Sequence, residues 1–171
     1  MATEYSFQFK IDDKGFNTWL AGLRHRMNNL ETPMKVIGDQ MVKSVRENFL
    51  QSGRPEKWKE LSAATIIGAL RTKDFTKKGA LTAKAVKKVN TRKILIGNGM
   101  KGGLMDSIHY EATSDSVSIG PDNRPYARIH QFGGMAGRGK KVAIPARPYL
   151  VVQDADVEMA KKIIMAHLLD R

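Results

Sequence analysis

The sequence predicts an α+β fold, in which an antiparallel sheet packs against two helices from the N-terminal half and one C-terminal helix, with a long basic arm beside them. Three observations predict it. Helical apolar spacing fills the first third and the C-terminus while strand spacing lies between, so helices and strands are segregated rather than alternating. Two alternating runs separated by Ser114-Asp115 read as a hairpin. Positive charge is gathered in one stretch without a sustained period.

The elements follow in order. Tyr5, Phe7, Phe9 and Ile11 alternate with polar residues, the period of a strand with one buried face, and Asp12-Asp13-Lys14-Gly15 breaks it. Phe16, Trp19, Leu20, Leu23, Met27 and Leu30 recur every three or four residues, the stripe of an amphipathic helix. A second helix is expected with Thr32 as its cap and Pro33 at its first position. Its apolar face runs Met34, Ile37, Met41, Val45 and Phe49 or Leu50, and Gly53-Arg54-Pro55 ends it. Leu61 to Thr65 leads into a short helix through about Leu70. Residues 71–93 contain Gly79 and read as an exposed arm or long loop.

Ile94-Leu95-Ile96 reads as a strand, followed by a glycine-rich bend over 97–103. Ile108, Tyr110 and Ala112, then Val117 and Ile119, form the hairpin. Tyr126 to Phe132 is a short helical or irregular segment stopped by Gly133-Gly134, and Val142-Ala143-Ile144 is a strand ended by Pro145. A terminal helix opens at Asp154 or Asp156, with Val157, Ala160, Ile163, Ile164 and Leu168 inside. Its acids lie at the start, as the helix dipole favours. No internal repeat divides the chain, so residues 1–171 are expected to form one domain.

Composition excludes several function classes. Apolar residues make up 42%, enough for one ordinary core, and a domain of this length removes roughly 70% of its unfolded surface from water. The absence of cysteine excludes disulfides and thiolate metal sites. No run approaches the ~18 consecutive apolar residues of a membrane span, and Met1 to Phe9 lacks the pattern of a signal peptide. A cytoplasmic protein is expected. The net charge is +12, and between Arg71 and Lys93 nine basic residues face one acid, Asp74. Arg71, Lys73, Lys77, Lys78, Lys84, Lys87, Lys88, Arg92 and Lys93 therefore form a candidate surface for DNA or an acidic partner, with Arg138, Lys140 and Lys141 adding to it. The plain alternative is a solvated surface segment.

Motifs for catalysis fail on context. Gly97-Asn98-Gly99-Met100-Lys101-Gly102 spells a dinucleotide fingerprint, but only a few residues separate it from the hairpin, where the mechanism requires a long helix. Gly134 to Lys141 nearly spells a phosphate loop. Lys141 stands where Ser or Thr must hold magnesium, and Val142-Ala143-Ile144-Pro145 cannot open a helix, so a flexible basic loop is expected. His25, His109, His130 and His167 are scattered without ligand spacing, and no GxSxG elbow is present. No cofactor, metal or catalytic residue is assigned, and the chain reads as a non-enzyme.

Tyr126-Ala127-Arg128-Ile129-His130-Gln131-Phe132-Gly133-Gly134, followed by Ile144-Pro145-Ala146-Arg147-Pro148-Tyr149-Leu150, resembles the signature of the phage virion morphogenesis family, the tail-completion proteins of Mu-like phages and their relatives. Asn48-Phe49 through Gly53-Arg54-Pro55-Glu56-Lys57-Trp58-Lys59, Ile94 to Ile96, Gly102 to Ile108 and Val117 to Gly120 resemble its other segments in order. The likeness spans roughly residues 45 to 152. The longer glycine bend and the basic arm depart from the family pattern. The resemblance implies a structural subunit of the virion neck, made in the host cytoplasm, that joins head and tail in a ring of six. It would meet copies of itself, portal-side neck proteins and tail terminator or tube proteins. Tyr126, Ile129, Phe132 and Tyr149, flanked by Arg128 and Arg147, are then candidate interface anchors, or simply the core of the domain. Arg128 and Arg147 are expected on carboxylates, within or between subunits. The rival reading is a nonspecific nucleic-acid-binding module using the basic arm, without a recognition helix or stacking platform.

Overall fold

The computed structural model describes residues 13–96 and 103–169. The expected strand over Tyr5 to Ile11 and most of the glycine-rich bend lie outside the described residues. The rest is mixed helix and sheet, organised around one long helix.

That spine is α2 (Glu31–Leu50), which follows α1 (Lys14–Met27). It begins one residue before the expected cap, with Leu30 rather than Thr32 at the N-cap and no side chain capping it. Pro33 sits at the third helical position, where its missing N–H costs nothing because first-turn donors have no intrahelical partner. The apolar face is the expected one, with Phe49 fully buried and Leu50 turned outward. Burial of a side chain such as Phe49 contributes about 1.5–3 kcal/mol.

Two surfaces close on α2. The first is the antiparallel hairpin of β1 (Ile108–Ala112) and β2 (Val117–Pro121), in register Ile108 to Pro121 and Ala112 to Val117. Tyr110 lies against Gly38, where any Cβ would strike its ring. The second is α6 (Asp154–Leu169), which runs antiparallel to α2. Ser44 Oγ donates to Asp156 Oδ2 near the start of α6, at 2.9 Å, and His167 meets the Asn29 carbonyl near its end, at 3.0 Å. Ala160, Ile163 and Ile164 pack against Met34, Ile37 and Met41 as expected, whereas Val157 is turned outward.

A second cluster holds the other end of α2. Val42, Val45 and Phe49 pack with Trp58, Ile94, Leu104, Ile108, Ala127 and Tyr149. Ile94-Leu95-Ile96 is not the expected strand: Leu95 has φ +62°, incompatible with extended backbone, and Ile94 simply plugs the core. The short helix α3 (Ala63–Ile67) is capped by Ser62, whose Oγ accepts from Thr65 N at 3.2 Å.

The basic stretch is exposed over most of its length, but its loop character is corrected. A 3-10 turn over Thr72–Asp74 leads to a bridge between Phe75 and Leu81, then to α4 (Ala83–Asn90), capped by Thr82 Oγ1 on Ala85 N at 3.2 Å. Ala85 is fully buried and fixes the helix to the body. After α5 (Ala127–Phe132), the expected flexible loop at 134–141 is also folded. β3 (Gly134–Ala136) pairs antiparallel with β4 (Val142–Ile144), Met135 opposite Ala143. Glycines 137 and 139, both at positive φ, make the turn that sequence periodicity does not register.

Candidate functional site

Residues 145–153 have no regular secondary structure, and Arg147 and Tyr149 within them are buried. Buried backbone of that kind must find side-chain partners for its polar groups. The neighbouring segments supply them almost one by one. Trp58 Nε1 donates to the Pro148 carbonyl at 2.9 Å, and Asn48 Nδ2 to the Tyr149 carbonyl at 3.0 Å. Gln131 Oε1 accepts from the amides of both Tyr149 and Leu150 at 3.0 Å, while its Nε2 donates to the Leu150 carbonyl at 3.1 Å. Arg147 N donates to the His130 carbonyl at 2.7 Å. Gln131 thus staples the two signature stretches together.

Gly133 makes the approach possible. It ends α5 at φ +74°, and a Cβ there would lie 2.9 Å from Ala146 N. The sequence predicts that this glycine stops the segment before it. The structure adds the reason: two backbone segments pass too close for a side chain.

Two expected surface anchors are internal. Tyr149 is 2% exposed, stacks obliquely on Phe49 with centroids 5.2 Å apart, and donates its hydroxyl to the Ala127 carbonyl at 3.4 Å. Burial raises its pKa. Arg147 is 5% exposed and, among the described residues, meets no carboxylate. Its Nε and Nη2 donate to the carbonyls of Lys59 and Glu60 at 3.0 and 3.2 Å, tying the signature to the chain after Trp58. Desolvation lowers its pKa from the ordinary arginine value. Both therefore take the second of the two readings, the core of the domain, and hold its internal frame. His130 lies beside them, its Nδ1 buried without a partner. Burial, and then the charge of Arg147, hold its imidazole below the ordinary pKa.

The other four predicted residues lie on or beside α5. Ile129 is half-buried and lies against Gly134. Tyr126, Arg128 and Phe132 face outward, Phe132 with 73% of its surface exposed and Tyr126 with 42%, edge-on to the His130 ring. An exposed phenylalanine with tyrosine and arginine beside it brings together residue types common at protein contacts.

The sequence reading missed Gln131, Asn48 and Trp58 as framework residues, although each lies within a quoted motif. The turn after α2 is tied back to it, Arg54 Nε donating to Asn48 Oδ1 at 2.8 Å and its Nη2 to the Ser44 carbonyl at 2.5 Å, while Gln153 Nε2, just before α6, donates to the Arg54 carbonyl at 3.3 Å. No spacing rule marks such pairs, because they meet only through the fold.

All nine cations of the basic stretch are exposed. Lys88 is partly structural, donating to Asp74 Oδ2 at 3.0 Å and to the Ala69 carbonyl at 3.3 Å. Asp74, which also accepts from the Arg71 amide, is held below the usual carboxylate range by that amide first and by Lys88 second. Lys88, Arg92 and Lys93 rim a groove of about 520 Å³ whose floor includes Ile66, Val89 and Leu104. Among the described residues, no cluster of three or more histidine and acidic side chains could hold a metal ion, and no helix is long and apolar enough to cross a membrane.

Comparison with known proteins agrees with the signature frame. The model of the phage virion morphogenesis family matches residues 11–169. The Mu-like prophage FluMu G protein 2 of Haemophilus influenzae is 35% identical over 123 residues, 72% of this chain and 67% of that protein. Tail completion protein S of Escherichia phage P2 is 37% identical over 67 residues, 36% of this chain and 45% of that protein. No solved structure matches significantly. With nearly its whole length matched, and its two most specific stretches locked together by Gln131 and Arg147, the chain belongs to the phage virion morphogenesis family.

Proposed function

We propose that the protein is a tail-completion subunit, a structural part of the virion neck that joins head and tail and performs no reaction. The observation that carries this reading is the exposed face of α5. Phe132, Tyr126 and Arg128 stand out from a helix whose flanks are fixed by buried hydrogen bonds, which is a contact surface prepared in advance. The chemistry of the frame agrees: Arg147, Gln131, Asn48 and Trp58 are all engaged in holding backbone. The likeness to tail completion protein S of phage P2 supports the same reading.

In this reading copies of the chain close into a ring, six by the family resemblance, through a head-to-tail contact that rotation completes. Portal-side neck proteins lie on one side and the tail terminator or tube on the other. The subunit folds in the host cytoplasm and ends in the virion. The test is a phage or prophage carrying a deletion of this gene, complemented by wild type or by Phe132→Ser. Deletion is expected to leave filled heads and finished tails unjoined in electron micrographs, wild type to rescue, and F132S to fail although the protein is folded. Normal particles from the deletion would end the proposal.

A further inference from the structure

Charge on this chain is divided between two surfaces. Residues 71–93 carry nine exposed cations against one acid, and that acid, Asp74, is already held by Lys88. Residues 109–119, at the turn end of the hairpin, carry Glu111 and Asp115, both exposed, and no lysine or arginine. Among the described residues no ion pair joins the two surfaces. Lys88 with Asp74 is a pair formed within the basic one.

Their placement explains why. Leu30 N donates to the Ser114 carbonyl, so the hairpin turn, with Asp115 and nearby Glu111, sits at the first turn of α2. The groove rimmed by Lys88, Arg92 and Lys93 has Leu61 and Leu104 in its wall, and these pack on the cluster around Phe49 at the last turn. A helix of 20 residues separates them, about 30 Å. One copy cannot bring its own acidic turn to its own basic surface, because both are fixed to opposite ends of a rigid rod. Two copies can.

We propose that the basic surface of α4 receives the acidic β1–β2 turn of a second copy of this chain, which makes the contact head-to-tail. The proposal rests on the self-assembling reading above and names the surfaces that such assembly would use. A nucleic acid would account for the cations but leave the acidic turn without a counterpart. A second copy accounts for both. Such a contact uses different patches on its two sides, the arrangement that generates rings when rotation closes.

The experiment mixes two full-length variants. K84E/K87E reverses exposed α4 lysines and leaves the Lys88–Asp74 pair intact. E111K/D115K reverses the turn. Each variant alone opposes like charges at the contact and is expected to raise the concentration for half-assembly, read by mass photometry, at least about tenfold over wild type. Mixed one to one, acidic α4 meets basic turn and basic α4 meets acidic turn, so assembly returns with the two variants alternating. Asp115 also accepts from Thr113 in the turn, so Glu111→Lys paired with Lys87→Glu repeats the cycle without touching a hydrogen bond should the turn melt. Wild-type assembly that is indifferent to both variants would overturn this contact while leaving a ring intact. Wild type that stays monomeric would overturn the contact and the ring together, and the deletion phenotype remains a separate test of tail completion. Loss of duplex DNA retention in K84E/K87E, with assembly unchanged, would assign the basic surface to nucleic acid and overturn the proposal.

Discussion

Replacing Gln131 by methionine tests whether the two signature stretches are one mechanical unit. Methionine fills nearly the same volume and keeps helix propensity, so what it removes is three hydrogen bonds to the backbone of Tyr149 and Leu150. Two part-buried amides lose their acceptor. An orphaned donor costs about 1–3 kcal/mol when sealed from water. The Leu150 side of the site is only half-buried, which places the sum at about 2–4 kcal/mol. For a chain of this length 1 kcal/mol moves the melting temperature about 3 °C, so Q131M is expected to melt about 6–12 °C below wild type. Gln131→Glu is the control. It keeps an oxygen for both amides and sets its second carboxylate oxygen against the Leu150 carbonyl, and because a charged acceptor strengthens both amide bonds its loss is expected to be smaller than that of Q131M. Circular dichroism melts at neutral pH read both. Q131M within a degree of wild type, or Q131E falling as far as Q131M, would refute the account of the frame.

Three further outcomes follow from the same geometry. Gly133→Ala forces a Cβ to 2.9 Å from Ala146 N at a positive φ, and denaturant unfolding should show a loss of at least about 2 kcal/mol. Phe132→Ser removes a side chain that is 73% exposed, so purified protein should keep its stability within about 0.5 kcal/mol while head–tail joining is lost. The folded-state pKa of His130 lies below 6.5, so the unfolded chain binds more protons in the window between the two values. Stability contributed there is present above about pH 6.5 and lost as pH falls through the folded pKa, and unfolding curves of His130→Phe should show a shallower acid-side slope than wild type.

Much of the fold was legible because its signals are local. The stripe from Met34 to Phe49, the alternation at Ile108 to Ala112 and Val117 to Ile119, and the glycine after Phe132 each state a period or a stop that the backbone obeys. What was not legible depends on partners distant in sequence. Leu95 belongs to an apolar triplet that reads as a strand, yet core packing of Ile94 turns the backbone to positive φ. Thr82 and Ala85 reveal α4 only once Ala85 is seen to be buried, since eight residues rich in lysine carry too short an apolar period to register. The stripe of α1 was read correctly as helical, but Phe16 and Trp19 remain half or more exposed on it. Periodicity announces which face is apolar and is silent about what covers it.

The candidate site shows the same division more sharply. Arginine and tyrosine within a specific motif invite a reading as contact residues, because those types dominate protein interfaces. For Arg147 and Tyr149 the invitation misleads. The segment that carries them has no strand or helix to satisfy its own backbone, and a fold that buries such a segment needs long side chains with donors at fixed reach. Arginine serves because its guanidinium can meet two carbonyls at once, those of Lys59 and Glu60, across 87 or more residues of sequence. Glutamine serves because one amide both accepts and donates, which closes Tyr149 and Leu150 against α5. The motif is therefore legible as chemistry but ambiguous as placement, and burial resolves it. The residues that hold the frame are inside, and what the frame exposes, Phe132 above all, is the surface that the proposed tail-completion role would use.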